Sequence, residues 1–195
     1  MIHPDHVALL RAGVPKQGGR WADFGSGTGA FTLALADLLG PSGEIISIDR
    51  DASALRQQEA SMRSRLPYVS VEYRIADFTR SLDLPPLDGV VMAKSLHFHQ
   101  DKLPIIQRIR GYLRPGGHLI LVEYDTDQGN PWVPYPLSYH SWEVLARRAE
   151  CAEAPLMATH PSRFLGRIYS ALGRWDVQSP GSSVAHNLSN GGDRS

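Results

Sequence analysis

Trp21-Ala22-Asp23-Phe24-Gly25-Ser26-Gly27-Thr28-Gly29-Ala30-Phe31 is the stretch that decides the fold. A strand-like run, WADF, leads straight into glycines on alternate positions and then into an apolar helical stripe of Phe31, Leu35, Leu38 and Leu39. Glycine lets the backbone bend sharply at such a junction and approach a ligand closely, while the free amides of the helix start favour an anionic group. On this string alone two readings stand, a ligand-binding loop and a turn used only for packing.

Working outward, the alternation repeats. Strand-like runs follow as EIISI at 44–48, VSVEYRI at 69–75, DGVVMA at 88–93 and HLILVEY at 118–124. Between them lie a polar helical segment from Asp51 to Arg65, ended by Pro67, and a stripe of Leu103, Ile106, Ile109 and Leu113. Pro115, Gly116 and Gly117 predict a turn that stops this helix and feeds the fifth strand. A short helix is expected near Asp5 to Arg11. After Tyr124 come an aromatic, proline-rich loop, a helix over 138–150 carrying Trp142, Leu145 and Ala149 on one side, and a strand pair near 156–159 and 164–172. Strands alternating with helices predict an α/β fold on a parallel sheet. One domain over 1–175 is expected, with 176–195 as a mobile tail that has little to bury.

Lys plus Arg and Asp plus Glu both total 20, so no whole-chain field draws the protein to nucleic acid or anionic lipid. Cys151 is single and has no partner within the chain, and no run of about 18 apolar residues marks a membrane span. The expected setting is cytoplasmic, without a membrane. Arg147, Arg148, Arg163, Arg167 and Arg174 are either solvated charges or a basic face for an anionic acceptor.

Asp49 ends the second strand, 20 residues beyond Gly29, where doubly wound folds present a carboxylate to a ribose. Two cofactor classes satisfy this much. Gly25, Gly27 and Ala30 fit the dinucleotide pattern, which suits an NAD-dependent oxidoreductase. Against it, Asp23 just before the glycines, Asp77 in RIADF after the third strand, and LRPGGHLILVEY at 113–124 together resemble class I S-adenosylmethionine-dependent methyltransferases. The resemblance covers Trp21 to Tyr124 and extends loosely to Trp175.

That resemblance implies a doubly wound, Rossmann-like seven-stranded sheet with an antiparallel last strand and helices on both faces. It implies S-adenosylmethionine as cofactor, with Asp23 near the methionine amino group and Gly25, Gly27 and Gly29 around the methionine part. Asp49 falls on the ribose, Asp77 and Phe78 flank the adenine, and Ala93 and Lys94 lie beside the cofactor. Lys94 stands where Asn or an acid is usual. A cation does not favour a neighbouring sulfonium, so its ammonium is expected to point away or pair with an acid.

Methyl transfer needs an in-line approach, and a base helps when the acceptor is a hydroxyl or a protonated amine. His97, after the fourth strand, is the candidate base ahead of His99 and His140, and a packing residue is its other reading. Trp132, Tyr135 and Tyr139 either wall an acceptor pocket or cover the sheet edge. No Asn-Pro-Pro-Tyr or Asp-Pro-Pro-Tyr follows the fourth strand, which disfavours exocyclic base amines and glutamine amides as acceptors, and Cys151 has no Pro-Cys context, which disfavours carbon 5 of cytosine; no metal-ligand spacing occurs, so no metal is expected. The expected reaction is methylation at O or N of a small molecule. A protein or nucleic-acid acceptor, a second copy closing the pocket as a homodimer, and a non-catalytic binding module are the alternatives.

Overall fold

Apolar residues fill both faces of the central strands, a pattern that requires helices above and below the sheet. In a computed structural model covering residues 1–175, the order is α1 (His3–Arg11), β1 (Gly19–Phe24), α2 (Ala30–Leu39), β2 (Gly43–Asp49), α3 (Ala52–Arg65), β3 (Ser70–Ile75) and β4 (Leu87–Ala93). It continues through α4 (Leu103–Tyr112), β5 (Leu113–Tyr124), α5 (Tyr139–Arg148), β6 (Leu156–Ser162) and β7 (Gly166–Arg174). The expected tail at 176–195 lies outside the described residues.

The seven strands are ordered β3-β2-β1-β4-β5-β7-β6. Strands β1 to β5 pair in parallel, and β7 runs antiparallel to both β5 and β6. Side chains alternate between two cores. Trp21, Ile45, Val91 and Ile120 pack under α1 and α2, whereas Ala22, Phe24, Ile46 and Met92 pack with α4 and α5. The chain leaves β1 toward β2 and β3, then returns to β4 on the other side of β1. That reversal opens a crevice at the carboxyl ends of β1 and β4, where ligands bind in open α/β sheets.

One boundary differs from expectation. β5 begins at Leu113, which pairs with Leu87, and the register shifts before Gly89 pairs with His118. Pro115, Gly116 and Gly117 therefore form an irregularity inside the strand, with Gly116 at φ +79°. Proline lacks the ladder donor and glycine accepts the left-handed backbone, so the segment bulges without leaving the sheet. Among the described residues, no helix is long and apolar enough to cross a membrane.

Candidate active site

Gly25, Gly27 and Gly29 all lie at positive φ, at +74°, +53° and +86°. Their tasks differ. A Cβ on Gly25 would stand 2.4 Å from Ser95 Cβ, so its lack of a side chain lets the turn after β1 meet the turn after β4. Gly27 faces open space and a Cβ there would meet nothing within 4 Å. Gly29 is the N-cap of α2, and a Cβ there would sit 2.3 Å from Gln58 Cγ, so it serves the packing of the helix start against α3.

Asp49 holds this turn. The Gly27 amide donates to Oδ2 at 2.7 Å and the Asp51 amide to Oδ1 at 2.8 Å. The carboxylate at the end of β2 thus orients the loop, and each oxygen keeps a lone pair for a further donor.

Two cavities meet at the crevice. One of about 360 Å³ is walled by Asp23, Gly27, Phe31, Ala93, His97 and the aromatic side chains described below. Another of about 430 Å³ is walled by Asp49, Asp77, Phe78, Ser95 and His99. Gly25 and Lys94 line both. The expected cofactor residues thereby converge on one continuous crevice, apart from Gly29, which lines neither cavity.

Asp23 is 1% exposed. Thr32 Oγ1 donates to its Oδ2 at 2.6 Å, and Oδ1 has no partner. Burial, reinforced by the Asp49 charge and opposed by the Thr32 hydrogen bond, pushes the carboxyl up to about 7. Asp77 has the opposite environment. The hydroxyl and amide of Thr79 donate to its Oδ1 at 2.6 and 2.9 Å and hold it below the usual carboxylate range. Phe78 stacks on Phe24 at 6.0 Å and meets the edge of His99 at 5.2 Å.

His97 is buried, with Nδ1 2.7 Å from Glu123 Oε2. Glu123 Oε1 accepts the amides of Leu96 and His97 at 3.1 and 3.2 Å. An ionised Glu123 can only accept, which assigns the proton of this contact to Nδ1 and leaves Nε2 of a neutral ring with its lone pair. Sequence reasoning passed over Glu123. Its signal was an acid inside the apolar run HLILVEY, which in a buried strand calls for a partner.

Of the two dispositions expected for Lys94, pairing with an acid is not the one adopted, since none of the ion pairs among the described residues includes it. Its Nζ lies over the Phe31 ring at 5.7 Å. Burial holds the Lys94 ammonium below its ordinary value against the opposing charge of Glu123, which is itself committed to His97 and two amides.

The aromatic residues separate. Trp132 lines the first cavity and meets Phe164 at 6.3 Å; Phe164 meets Tyr124 at 5.8 Å, and Tyr124 lies 5.9 Å from His97. Tyr135 supports His97 from behind, its amide donating to the His97 carbonyl at 3.0 Å. Tyr139 is turned toward Tyr169, 5.7 Å away, and lines neither cavity. His140, on α5, is also remote from both. Of the arginines, Arg167 pairs with Asp125 and Arg174 with Glu153, so much of the expected basic face is neutralised.

A mixed seven-stranded sheet in this strand order, with a glycine turn at its switch point, is a doubly wound α/β architecture. A family model described as a methyltransferase domain matches residues 15–163. The chain is 28% identical over 137 residues to a ubiquinone/menaquinone biosynthesis C-methyltransferase of Pasteurella multocida, covering 69% of this chain and 50% of that one. It is 30% identical over 148 residues to the O-methyltransferase cnsE of Penicillium expansum, covering 74% and 49%. The chain thus spans about half the length of these curated relatives. Among solved structures, the YcgJ protein of Bacillus subtilis superposes with a TM-score of 0.71 at 12% identity, covering 89% of this chain and 99% of that one. Human N-acetylserotonin methyltransferase in complex with S-adenosylmethionine superposes with a TM-score of 0.64 at 17% identity, covering 89% and 51%. The chain belongs to the class I S-adenosylmethionine-dependent methyltransferase family. The family's cofactor is S-adenosylmethionine rather than a dinucleotide.

Proposed function

We propose that the chain methylates an oxygen or nitrogen atom of a small-molecule acceptor, using S-adenosylmethionine, with His97 taking the acceptor's proton. The observation that carries this is the His97–Glu123 pair in the wall of the cavity that also contains the glycine turn. When bound, the cofactor supplies an electrophilic methyl group on a sulfonium.

The chain's residues suit that group. The orphaned Asp23 Oδ1 would accept from the methionine ammonium, Asp49 from the ribose hydroxyls and Asp77 from the exocyclic amine of the adenine, with Phe78 beside the base. Gly27, with open space at its Cβ position, and the small Ala93 would leave room for close approach at the methionine end. His97 Nε2 removes the proton from a hydroxyl or ammonium, and Glu123 compensates the imidazolium charge that results. A base of this kind contributes roughly 100- to 10,000-fold. The balanced net charge favours a small acceptor over nucleic acid, and Tyr124, Phe164 and Trp132 offer it an apolar wall. The relatives methylate carbon in one case and oxygen in the other by their names. A histidine base favours O–H or N–H.

The test is calorimetric titration with S-adenosylhomocysteine, followed by transfer of labelled methyl groups to a panel of phenols, amines and carbon nucleophiles. The His97→Gln variant is expected to bind S-adenosylhomocysteine as the parent does and to turn over roughly 100-fold or more slowly. Undiminished turnover removes the base role, and labelling at carbon alone removes the O or N assignment.

A further inference from the structure

We infer that Lys94 binds the α-carboxylate of the methionine part of S-adenosylmethionine, opposite Asp23, so that the first cavity reads that part as a zwitterion. The inference rests on the cofactor reading above and adds a specificity residue to it.

Three observations converge. Lys94 follows β4 directly at φ +55°, a left-handed conformation unfavourable for a residue with a side chain, and its amide is held by the Val122 carbonyl at 2.8 Å. The pinned backbone puts it where the two cavities join, a position shared with Gly25. Secondly, Lys94 takes part in none of the ion pairs among the described residues. Its Nζ rests over Phe31, whose other neighbour is the edge of His6 at 4.7 Å. Burial and the Lys94 charge hold His6 down to about 4, and the acid whose charge acts on Lys94, Glu123, is already committed to His97 and two amides. A half-buried ammonium without an ion-pair partner is costly, and an aromatic face compensates only part of the loss. Thirdly, the same cavity wall contains the unpartnered, buried Asp23 Oδ1. An acceptor for an ammonium and a donor for a carboxylate, both unsatisfied and lining one space, are complementary to an α-amino acid.

The arrangement also accounts for a lysine beside a sulfonium-binding site. The carboxylate neutralises the ammonium, so the cation that would oppose the sulfonium is cancelled before it is felt.

The test compares the affinity of the full chain for S-adenosylmethionine and for decarboxylated S-adenosylmethionine, which keeps the ammonium and lacks the carboxylate. The parent is expected to prefer the intact cofactor by about tenfold or more. Lys94→Met, which keeps the apolar stem over Phe31, is expected to bind both within about twofold, and Lys94→Arg to keep the preference. Equal binding of the two ligands by the parent overturns the inference, whether or not the methionine variant folds. So does a Lys94→Met protein that keeps the preference; if its turnover alone falls, the lysine serves an anionic acceptor. Failure of the parent to bind intact S-adenosylmethionine removes the cofactor reading itself.

Discussion

Glu123 on β5 holds the His97 ring, in the turn after β4, through a 2.7 Å contact between Oε2 and Nδ1, while its other oxygen accepts the amides that begin that turn. One carboxylate therefore sets both the position of the ring and the tautomer it adopts. Glu123→Gln still offers the turn amides an acceptor but can present an amide donor to Nδ1, which moves the ring proton to Nε2. The expected result is a stability loss of about 1–3 kcal/mol by urea denaturation and a fall in turnover comparable to that of His97→Gln. The nitrogen resonances of the His97 ring, which exchange protonated and unprotonated assignments on a tautomer change, check the cause.

Asp23 makes the protein sensitive to pH near neutrality. Its carboxyl is pushed up to about 7 from an ordinary value of 3.8, so the folded chain keeps a proton that the unfolded chain has lost between those values. Stability is therefore expected to fall as pH rises through that window, by an amount on the order of 4 kcal/mol at most, and to level off above it. Asp23→Asn removes the slope in denaturation midpoints. Cofactor binding runs the other way. A ligand ammonium favours the ionised carboxylate, so affinity for S-adenosylhomocysteine is expected to rise toward pH 7 with net proton release, read by titration in buffers of different ionisation enthalpy.

Gly25 and Gly27 separate fold from ligand. Gly25→Ala forces a Cβ to 2.4 Å from Ser95 Cβ, and both stability and binding are expected to suffer, the former by about 1–3 kcal/mol. Gly27→Ala meets no protein atom within 4 Å and carries only the left-handed backbone penalty of about 1–2 kcal/mol. Its methyl enters the cavity, so binding of S-adenosylhomocysteine is expected to weaken while the thermal midpoint changes less than in Gly25→Ala. Calorimetric titration beside thermal melts distinguishes them.

Asp49→Ala releases the Gly27 amide from its 2.7 Å acceptor. A hydrogen bond to a charged group contributes roughly 1.5–3 kcal/mol, less here because the carboxylate is half-exposed. Exchange of the Gly27 amide with deuterium is expected to accelerate even without ligand, and cofactor affinity to drop. Unchanged exchange with lost affinity would restrict Asp49 to ligand contact alone.

Trp132 is 71% exposed and contributes little to the core. Trp132→Ala is expected to leave the urea midpoint within about 0.5 kcal/mol and to raise the acceptor KM while leaving S-adenosylhomocysteine affinity unchanged. Loss of cofactor binding would remove it from the acceptor wall.

Much of this architecture was legible in local sequence. The period of apolar residues separated strands from helices, and alternate glycines after WADF marked a turn that must adopt positive φ. Asp49 and Asp77, at strand ends, could be placed by counting. The start of β5 was less legible, because a Pro-Gly-Gly segment serves equally as a turn or as a bulge, and pairing of Leu113 with Leu87 decides which.

The sequence by itself determined the alternation of strands and helices, the glycine turn and the acids at the strand ends, since hydrophobic period and backbone conformation are properties of neighbouring residues. Only the tertiary structure decided what meets in the cavity. His97 and Glu123 are 26 positions apart, Tyr124 and Phe164 come from a strand end and a hairpin, and Lys94 finds Phe31 rather than a carboxylate. No local rule links such residues. They are brought together because β1, β4 and β5 end, and β7 begins, at one crevice, and because burial obliges each polar group there to find a partner or to wait for a ligand that supplies one.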